Sequence, residues 1–245
     1  MNIHLTVAYD GTGYAGWQRQ DNALAVQQVL EEKISYLLKR PIELKAAGRT
    51  DAGVHALNQH VAFTVEDMPI PIEKLPQIIN GYLPADIAVQ TAELADDSFN
   101  PRFAAKYKIY EYKIHNAKTP LPNIRRYSAF VPNDLKLDKM AEAAAFFVGR
   151  HDFKAFCATG SVVKDTVRHI FLCRVFLMAD NLICIQIKGN GFLYNMVRII
   201  AGTLLYVGLD KIEPADIAGI ISSKDRTRAG KTMPPEGLTL VEVGY

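Results

Sequence analysis

Cysteine, long apolar runs and net charge are all scarce in this sequence of 245 residues. The three cysteines are an odd number without C-x-x-C spacing, so we expect buried structural thiols rather than a disulfide framework or a structural zinc site. They also favour a reducing cytoplasm. Runs of about 18 apolar residues are missing, so we expect no membrane-spanning segment. The N-terminus has no basic region followed by an apolar stretch, so we expect no secretory signal.

The chain carries 28 Lys and Arg residues against 26 Asp and Glu, a formal charge of +2. This balance argues against a protein that simply coats nucleic acid, but it leaves room for a local basic surface. Residues 62–101 hold seven acidic side chains against Lys74, whereas residues 102–126, the basic block, hold seven basic ones against Glu111. A solvated charge run is the ordinary interpretation of such segments. A basic block of this kind is also suited to phosphate.

Hydrophobic residues make up 49% of the chain and charged residues 22%, which excludes a disordered protein. In the first half, strands are predicted at 3–9, 42–47, 54–65 and 86–94, with helices from Leu24 to Pro41 and at 71–81. The order strand-helix-strand-strand-helix-strand is typical of ferredoxin-like and RNA-recognition α/β sandwiches.

The second half continues the α+β pattern. It is predicted to contain a strand at 106–114, a helix at 137–148, a hairpin of 168–178 with 182–188, helices at 194–208 and 214–222, and a strand at 238–243. We expect two domains, residues 1–104 and residues 105–245. No flexible linker marks the boundary between them.

Gly11, Gly13 and Gly16 spell G-x-G-x-x-G directly after the first predicted strand. In a dinucleotide-binding fold this motif opens a helix, but here the helix starts only around Leu24. No carboxylate ends a second strand about twenty residues further on, as that fold requires. We therefore interpret the three residues as turn glycines beside a polar binding loop. A dinucleotide-dependent oxidoreductase is the alternative that this motif alone suggests.

Asp51 lies between two glycines in a predicted loop that joins two apolar strands, with Arg49 two residues before it. Loops held by a rigid sheet are common positions for reactive side chains. A neighbouring guanidinium favours the ionised carboxylate, the form that a nucleophile needs. On these residues alone, a turn aspartate bonded to its own backbone is the favoured interpretation.

Five segments resemble, in the right order, the motifs of the TruA family of tRNA pseudouridine synthases. They are G-R-T-D-A-G-V-H-A at 48–56, Y-D-G-T-G-Y-A-G-W-Q at 9–18, the tyrosine-bearing strand at 103–114, N-G-F-L-Y-N-M-V-R with a later glycine across 190–202, and K-D-R, A-G and P-P-x-G-L across 224–238. The resemblance implies the pseudouridine synthase fold, in which two α/β sandwich halves share a mainly antiparallel sheet. Domain 1–104 would then carry the catalytic Asp loop, and domain 105–245 the Tyr strand and the Arg helix.

The resemblance implies an isomerase, an intramolecular transferase, that converts uridine to pseudouridine at positions 38–40 of the tRNA anticodon stem-loop. Asp51 matches the family's catalytic aspartate, and a carboxylate suits the breaking of a glycosidic bond. Attack on the sugar, addition to the base and removal of a sugar proton are all open to a carboxylate. The reaction is redox-neutral, so we expect no cofactor, and we expect no metal because the six histidines do not cluster.

Three further residues match the family's substrate-binding positions. Tyr110 matches an active-site tyrosine able to stack on an extruded base, although on the residues alone a core tyrosine is equally expected. Arg198 matches the basic partner of the aspartate, whereas a snorkelling arginine is the alternative on a mostly apolar helix. Arg49 is expected to contact the RNA backbone or displace the base.

The resemblance further implies a homodimer that binds tRNA. The cysteine usage favours the cytoplasm, and the lack of long apolar runs predicts no membrane association. A non-catalytic RNA-binding module of the same architecture is the competing hypothesis. Such a module has no need of an isolated Asp loop, so the intact G-R-T-D segment favours the enzyme.

Overall fold

The computed structural model describes residues 1–160 and 163–245. The chain divides into two compact units, Met1–Lys106 with Leu240–Tyr245, and Tyr107–Thr239. The last residues of the chain therefore belong to the first unit. Within the described ranges, no helix is both long enough and apolar enough to cross a membrane.

The first unit is a split β-α-β sandwich. Its elements are β1 (Asn2–Tyr9), α1 (Val26–Leu38), β2 (Lys45–Ala46), β3 (His55–Thr64), α2 (Leu75–Asn80), β4 (Ile87–Ala95) and α3 (Pro101–Ala104). Strands β4, β1, β3 and β2 are neighbours in that order, and every one of these pairs is antiparallel. This is the ferredoxin-like arrangement that the predicted element order requires.

Helix α1 begins two residues later than predicted because the chain before it binds the glycine-rich turn. Gly16 O accepts from the Val26 N–H at 3.1 Å, and Ala15 N–H donates to Leu24 O at 2.8 Å. The helix ends at Leu38, and the next residue, Lys39, is left-handed with φ 53°. Pro41 follows and prevents any continuation of the helix.

The predicted strand at 42–47 is wrong for most of its length. Only Lys45–Ala46 pair with β3, and the preceding backbone binds side chains of α1 instead. Leu44 N–H donates to Glu31 Oε1 at 3.0 Å, and Leu44 O accepts from Gln27 Nε2 at 3.2 Å. These polar side chains are buried and take the place of a neighbouring strand.

The second unit repeats the pattern of strand, helix, hairpin and helix. Its elements are β5 (Tyr107–Asn116), β6 (Ala129–Val131), α4 (Leu137–Ala145), β7 (Gly149–Asp152), β8 (Val167–Leu177), β9 (Leu182–Gly189), α5 (Met196–Gly208) and α6 (Asp216–Ser223), and β10 (Leu238–Gly244) begins in it. Strands β5, β9, β8 and β7 lie in that order and pair antiparallel, while β6 runs parallel to β5. The α+β class with a mainly antiparallel sheet is confirmed.

The predicted hairpin of β8 and β9 is confirmed, and its turn contains Asp180 and Asn181 at φ 58° and 56°. Cys173 and Cys184 lie buried on these two strands, as expected for structural thiols, whereas Cys157 is half-buried. Burial raises the pKa of both strand thiols to about 12, so they stay protonated at neutral pH.

Candidate active site

Asp51 occupies a tight loop between β2 and β3. The Val54 N–H donates to Asp51 O at 3.1 Å and closes the turn. At the base of the loop, Gln59 Nε2 donates to Gly48 O at 2.8 Å. Asp51 is half-buried, Arg49 is exposed and Thr50 is buried, so the loop presents a carboxylate and a guanidinium from a fixed backbone.

The glycine-rich segment of residues 9–17 supports this loop directly. Trp17 N–H donates to Thr50 O at 3.0 Å, and Gly53 N–H donates to Tyr14 O at 3.2 Å. The Tyr9 hydroxyl lies 2.8 Å from Thr50 Oγ1. These contacts bind the residues on both sides of Asp51 to a second, independent stretch of chain.

Two of the three glycines are required because the two segments lie too close together to leave room for a side chain. A Cβ on Gly16 would lie 2.5 Å from Thr50 O, and φ at this residue is +92°. A Cβ on Gly11 would lie 2.0 Å from Val54 O, whereas a Cβ on Gly13 would have no heavy atom within 4 Å. The interpretation of the motif as turn glycines is confirmed, and two of them seat the Asp51 loop.

Side chains that the motif analysis did not single out also support the loop and the segment beneath it. Gly11 N–H donates to His55 Nδ1 at 3.0 Å, and Asp10 Oδ1 lies 3.2 Å from the same nitrogen. The Tyr14 hydroxyl donates to Asp86 Oδ1 at 2.7 Å. Burial and the Asp86 carboxylate raise the pKa of Tyr14, so its hydroxyl remains a donor. Most of these residues lie within the family motifs at 9–18 and 48–56, and their place in a motif was the only sequence signal for them.

In the second unit, Tyr110 lies on β5 and is 8% exposed. Its ring packs edge-on against Phe192 with the centroids 5.1 Å apart. Tyr112 is fully buried, and its hydroxyl donates to Pro234 O at 2.8 Å. The Tyr112 hydroxyl is therefore engaged by the protein's own backbone.

Arg198 lies in the first turn of α5 and is half-buried. Its Nε donates to Met233 O at 2.7 Å, and its Nη1 donates to Asn195 Oδ1 at 2.7 Å. Asn195 precedes the helix with φ 60°. The guanidinium is thus oriented by two acceptors, which a freely snorkelling side chain would lack.

The four predicted site residues are divided between the units. Asp51 and Arg49 share one loop of the first unit, and Tyr110 and Arg198 lie on β5 and α5 of the second. Among the described residues, no group of three or more His, Cys, Asp or Glu side chains is placed to hold a metal ion.

A family model described as tRNA pseudouridine synthase matches residues 5–104 and 143–245. These ranges contain Asp51, Arg49 and Arg198, while Tyr110 lies in the interval between them. The chain is also 14% identical to a chain of a Cbf5-Nop10-Gar1 complex, covering 98% of this chain and 49% of that one with a TM-score of 0.37.

Curated relatives match over nearly the whole length. The chain is 47% identical over 243 residues to tRNA pseudouridine synthase A of Ruminiclostridium cellulolyticum, covering 99% of both chains. It is 47% identical to the protein of that name from Caldicellulosiruptor bescii and 43% identical to that from Geotalea daltonii, covering 100% of this chain and 99% of each relative. The chain therefore belongs to the tRNA pseudouridine synthase family, whose members are isomerases acting on uridine in tRNA.

Proposed function

We propose that this protein converts uridine to pseudouridine at positions 38–40 of the tRNA anticodon stem-loop, with Asp51 as the nucleophile. The observation that carries the proposal is the set of backbone contacts that hold the Asp51 loop. A half-buried carboxylate stands on a turn whose backbone is bound on both sides by the segment of residues 9–17. Such pre-organisation suits a group that must meet a reacting carbon in one geometry.

In this reaction the N1–C1′ bond breaks, the base turns while bound, and C5 joins C1′. The proton on C5 leaves to solvent and N1 gains one, so the product is an isomer of the substrate. An ionised carboxylate stabilises or captures the sugar centre as the glycosidic bond breaks. The target base must leave its stack to reach Asp51.

The other site residues have proposed roles that follow from their chemistry. We propose Arg198 as the basic partner of the catalytic aspartate, the role of the family position that it matches. Tyr110 stacks on the extruded base, and its packing against Phe192 supports this role by limiting the ring's orientations. Arg49 is exposed two residues before Asp51, which suits contact with the RNA backbone or displacement of the base.

The same proposal includes a homodimer in the cytoplasm and two domains, residues 1–104 with the Asp51 loop and residues 105–245 with Tyr110 and Arg198. The basic block supports a surface for RNA phosphates, because seven of its side chains are basic and one is acidic.

Release of tritium from tRNA labelled at uridine C5 tests the role of Asp51. Both Asp51→Ala and Asp51→Asn should reduce release by about 10⁴-fold or more, because the nucleophile is lost. Asp51→Ala should still bind tRNA with nearly the wild-type Kd. Asp97→Asn removes the same charge from an exposed position of the same unit and should release tritium at the wild-type rate. Normal release by either Asp51 variant would refute the proposal.

A further inference from the structure

Residues 226–237, here called the strap, connect α6 to β10 and lie directly against α5. A Cβ on Gly202 would lie 1.8 Å from Lys231 O, and a Cβ on Gly230 would lie 2.4 Å from Gly202 C. The Gly230 N–H donates to Thr203 Oγ1 at 2.9 Å. The two backbones therefore touch without side chains between them, so a shift of the strap is transmitted to the helix.

Further along, the strap contacts Arg198 itself. Met233 O accepts from Arg198 Nε at 2.7 Å, and Met233 N–H donates to Arg198 O at 3.2 Å. Pro234 O accepts from the Tyr112 hydroxyl, and a Cβ on Gly237 would lie 2.6 Å from Tyr112 Cζ. Two successive strap carbonyls thus fix the arginine of the site and the buried tyrosine beside it.

The Arg226 side chain, at the start of the strap, forms hydrogen bonds with later residues of the strap. Its Nη1 donates to Gly230 O at 2.9 Å and to Ala229 O at 3.4 Å, and its Nη2 donates to Thr232 Oγ1 at 3.1 Å. The side chain is half-buried, and its acceptors lie at residues 229–232, next to the α5 contact at Gly230 and just before the carbonyl of Met233. A planar guanidinium holds several acceptors in a fixed relation, which the single ammonium of lysine cannot reproduce.

We propose that Arg226 is a positioning residue for the isomerisation. By fixing the strap, it places the Met233 carbonyl that orients the Arg198 guanidinium. This inference rests on the proposed role of Arg198 as the partner of Asp51. Arg226 itself touches neither the substrate nor the reacting atoms, so its contribution to the rate passes through Arg198.

A double-mutant cycle between Arg226 and Arg198 tests this path, with the single-turnover rate of pseudouridine formation in total tRNA as the readout. Arg226→Gln should lower the rate about tenfold, with little change in the enzyme concentration that gives half the maximal rate. In an Arg198→Lys background, the same substitution should change the residual rate less than about twofold, because coupled residues are non-additive. Arg228→Gln removes the same charge from an exposed residue two positions away and should leave the rate unchanged.

Thermal unfolding of each variant identifies misfolding. If Arg226→Gln does not fold, Arg226→Lys replaces it in the same cycle, since it keeps the charge and loses the planar array of donors. Equal losses from Arg226→Gln in both backgrounds would overturn the inference, as would equal losses from Arg226→Gln and Arg228→Gln. An Arg198→Lys variant with the full rate would instead refute the proposed role of Arg198, and the inference with it.

Discussion

At the scale of single residues, the site depends on glycines that allow two backbones to meet. Gly16 illustrates this dependence because its φ is +92° and a Cβ added there would lie 2.5 Å from Thr50 O, the carbonyl next to Asp51. A side chain at this position faces both backbone strain and a steric clash. The position of the carboxylate is therefore set by a residue 35 positions earlier in the chain.

We expect Gly16→Ala to displace the Asp51 loop and to lower the rate of pseudouridine formation at least about tenfold, since catalysis is sensitive to such shifts. The added methyl group and the strained φ should also destabilise the fold by about 1–3 kcal/mol, measured by urea unfolding. Gly13→Ala is the matched control, because its Cβ would have no heavy atom within 4 Å. A Gly16→Ala enzyme as active and stable as the Gly13→Ala enzyme would contradict this account.

At the scale of elements, polar side chains of α1 replace a strand. Glu31 accepts from the Leu44 N–H, and Gln27 donates both to Glu31 Oε1 and to Leu44 O. Both side chains are buried, so their loss leaves backbone groups without partners in the interior. The backbone at Leu44, just ahead of β2, is consequently bound to α1 rather than to the sheet.

Glu31→Ala should destabilise the protein by about 1–3 kcal/mol, which is the cost of leaving a buried N–H unsatisfied. Glu31→Gln keeps an acceptor oxygen and should recover part of that loss. Glu32→Ala changes the next residue, whose exposed carboxylate accepts from Gln28 Nε2 at 3.0 Å, and should change stability by less than about 0.5 kcal/mol. Urea unfolding of the three variants measures these differences, and similar values for Glu31→Ala and Glu32→Ala would show that the Leu44 contact is unimportant.

Elements with strong local patterns could be predicted from the sequence, and those determined by distant partners could not. The apolar spacing of α1 and the turn between β8 and β9 are local, and both predictions are confirmed. Strands β6 and β7 are only three and four residues long, so their pairing partners rather than their own residues define them. The strand at 42–47 failed because side chains of α1 compete for its backbone.

The candidate site also combines features predicted from a local motif with features that depend on distant contacts. Asp51 and Arg49 were identified from a contiguous motif, whereas their supports depend on contacts between distant residues. The Trp17 N–H, for example, donates to the carbonyl of Thr50, 33 positions later. The hydrogen bonds from Arg226 to the strap join residues that are close in sequence. The contact between the strap and Arg198, however, forms only when α5 and the strap pack together. Contacts of this kind leave no periodic pattern in one sequence.

At the scale of the whole molecule, the near-neutral charge conceals two opposed segments. The basic block has a net charge of +6, from seven basic residues and Glu111, while residues 62–101 have a net charge of −6. A protein with this distribution can attract a polyanion at one region without a high overall charge. Binding should therefore depend on a limited number of phosphate contacts.

The Kd for tRNA should rise steeply with salt concentration. The double variant Lys106→Gln with Arg126→Gln should reduce the slope of log Kd against log salt concentration by about two. Both residues belong to the basic block and are exposed. Lys33→Gln with Lys74→Gln removes two exposed lysines outside the block and should leave the slope unchanged. Filter binding across salt concentrations measures this effect, and salt-insensitive affinity would argue against a phosphate-binding surface.

The most direct test of the central claim is a map of pseudouridines in cellular tRNA from a strain that lacks this protein. Positions 38–40 of the tRNAs should lose pseudouridine in that strain. Wild-type protein and Asp97→Asn should restore the modification, and Asp51→Ala should not. Unchanged modification at positions 38–40 without the protein, or its restoration by Asp51→Ala, would contradict the assignment of this site.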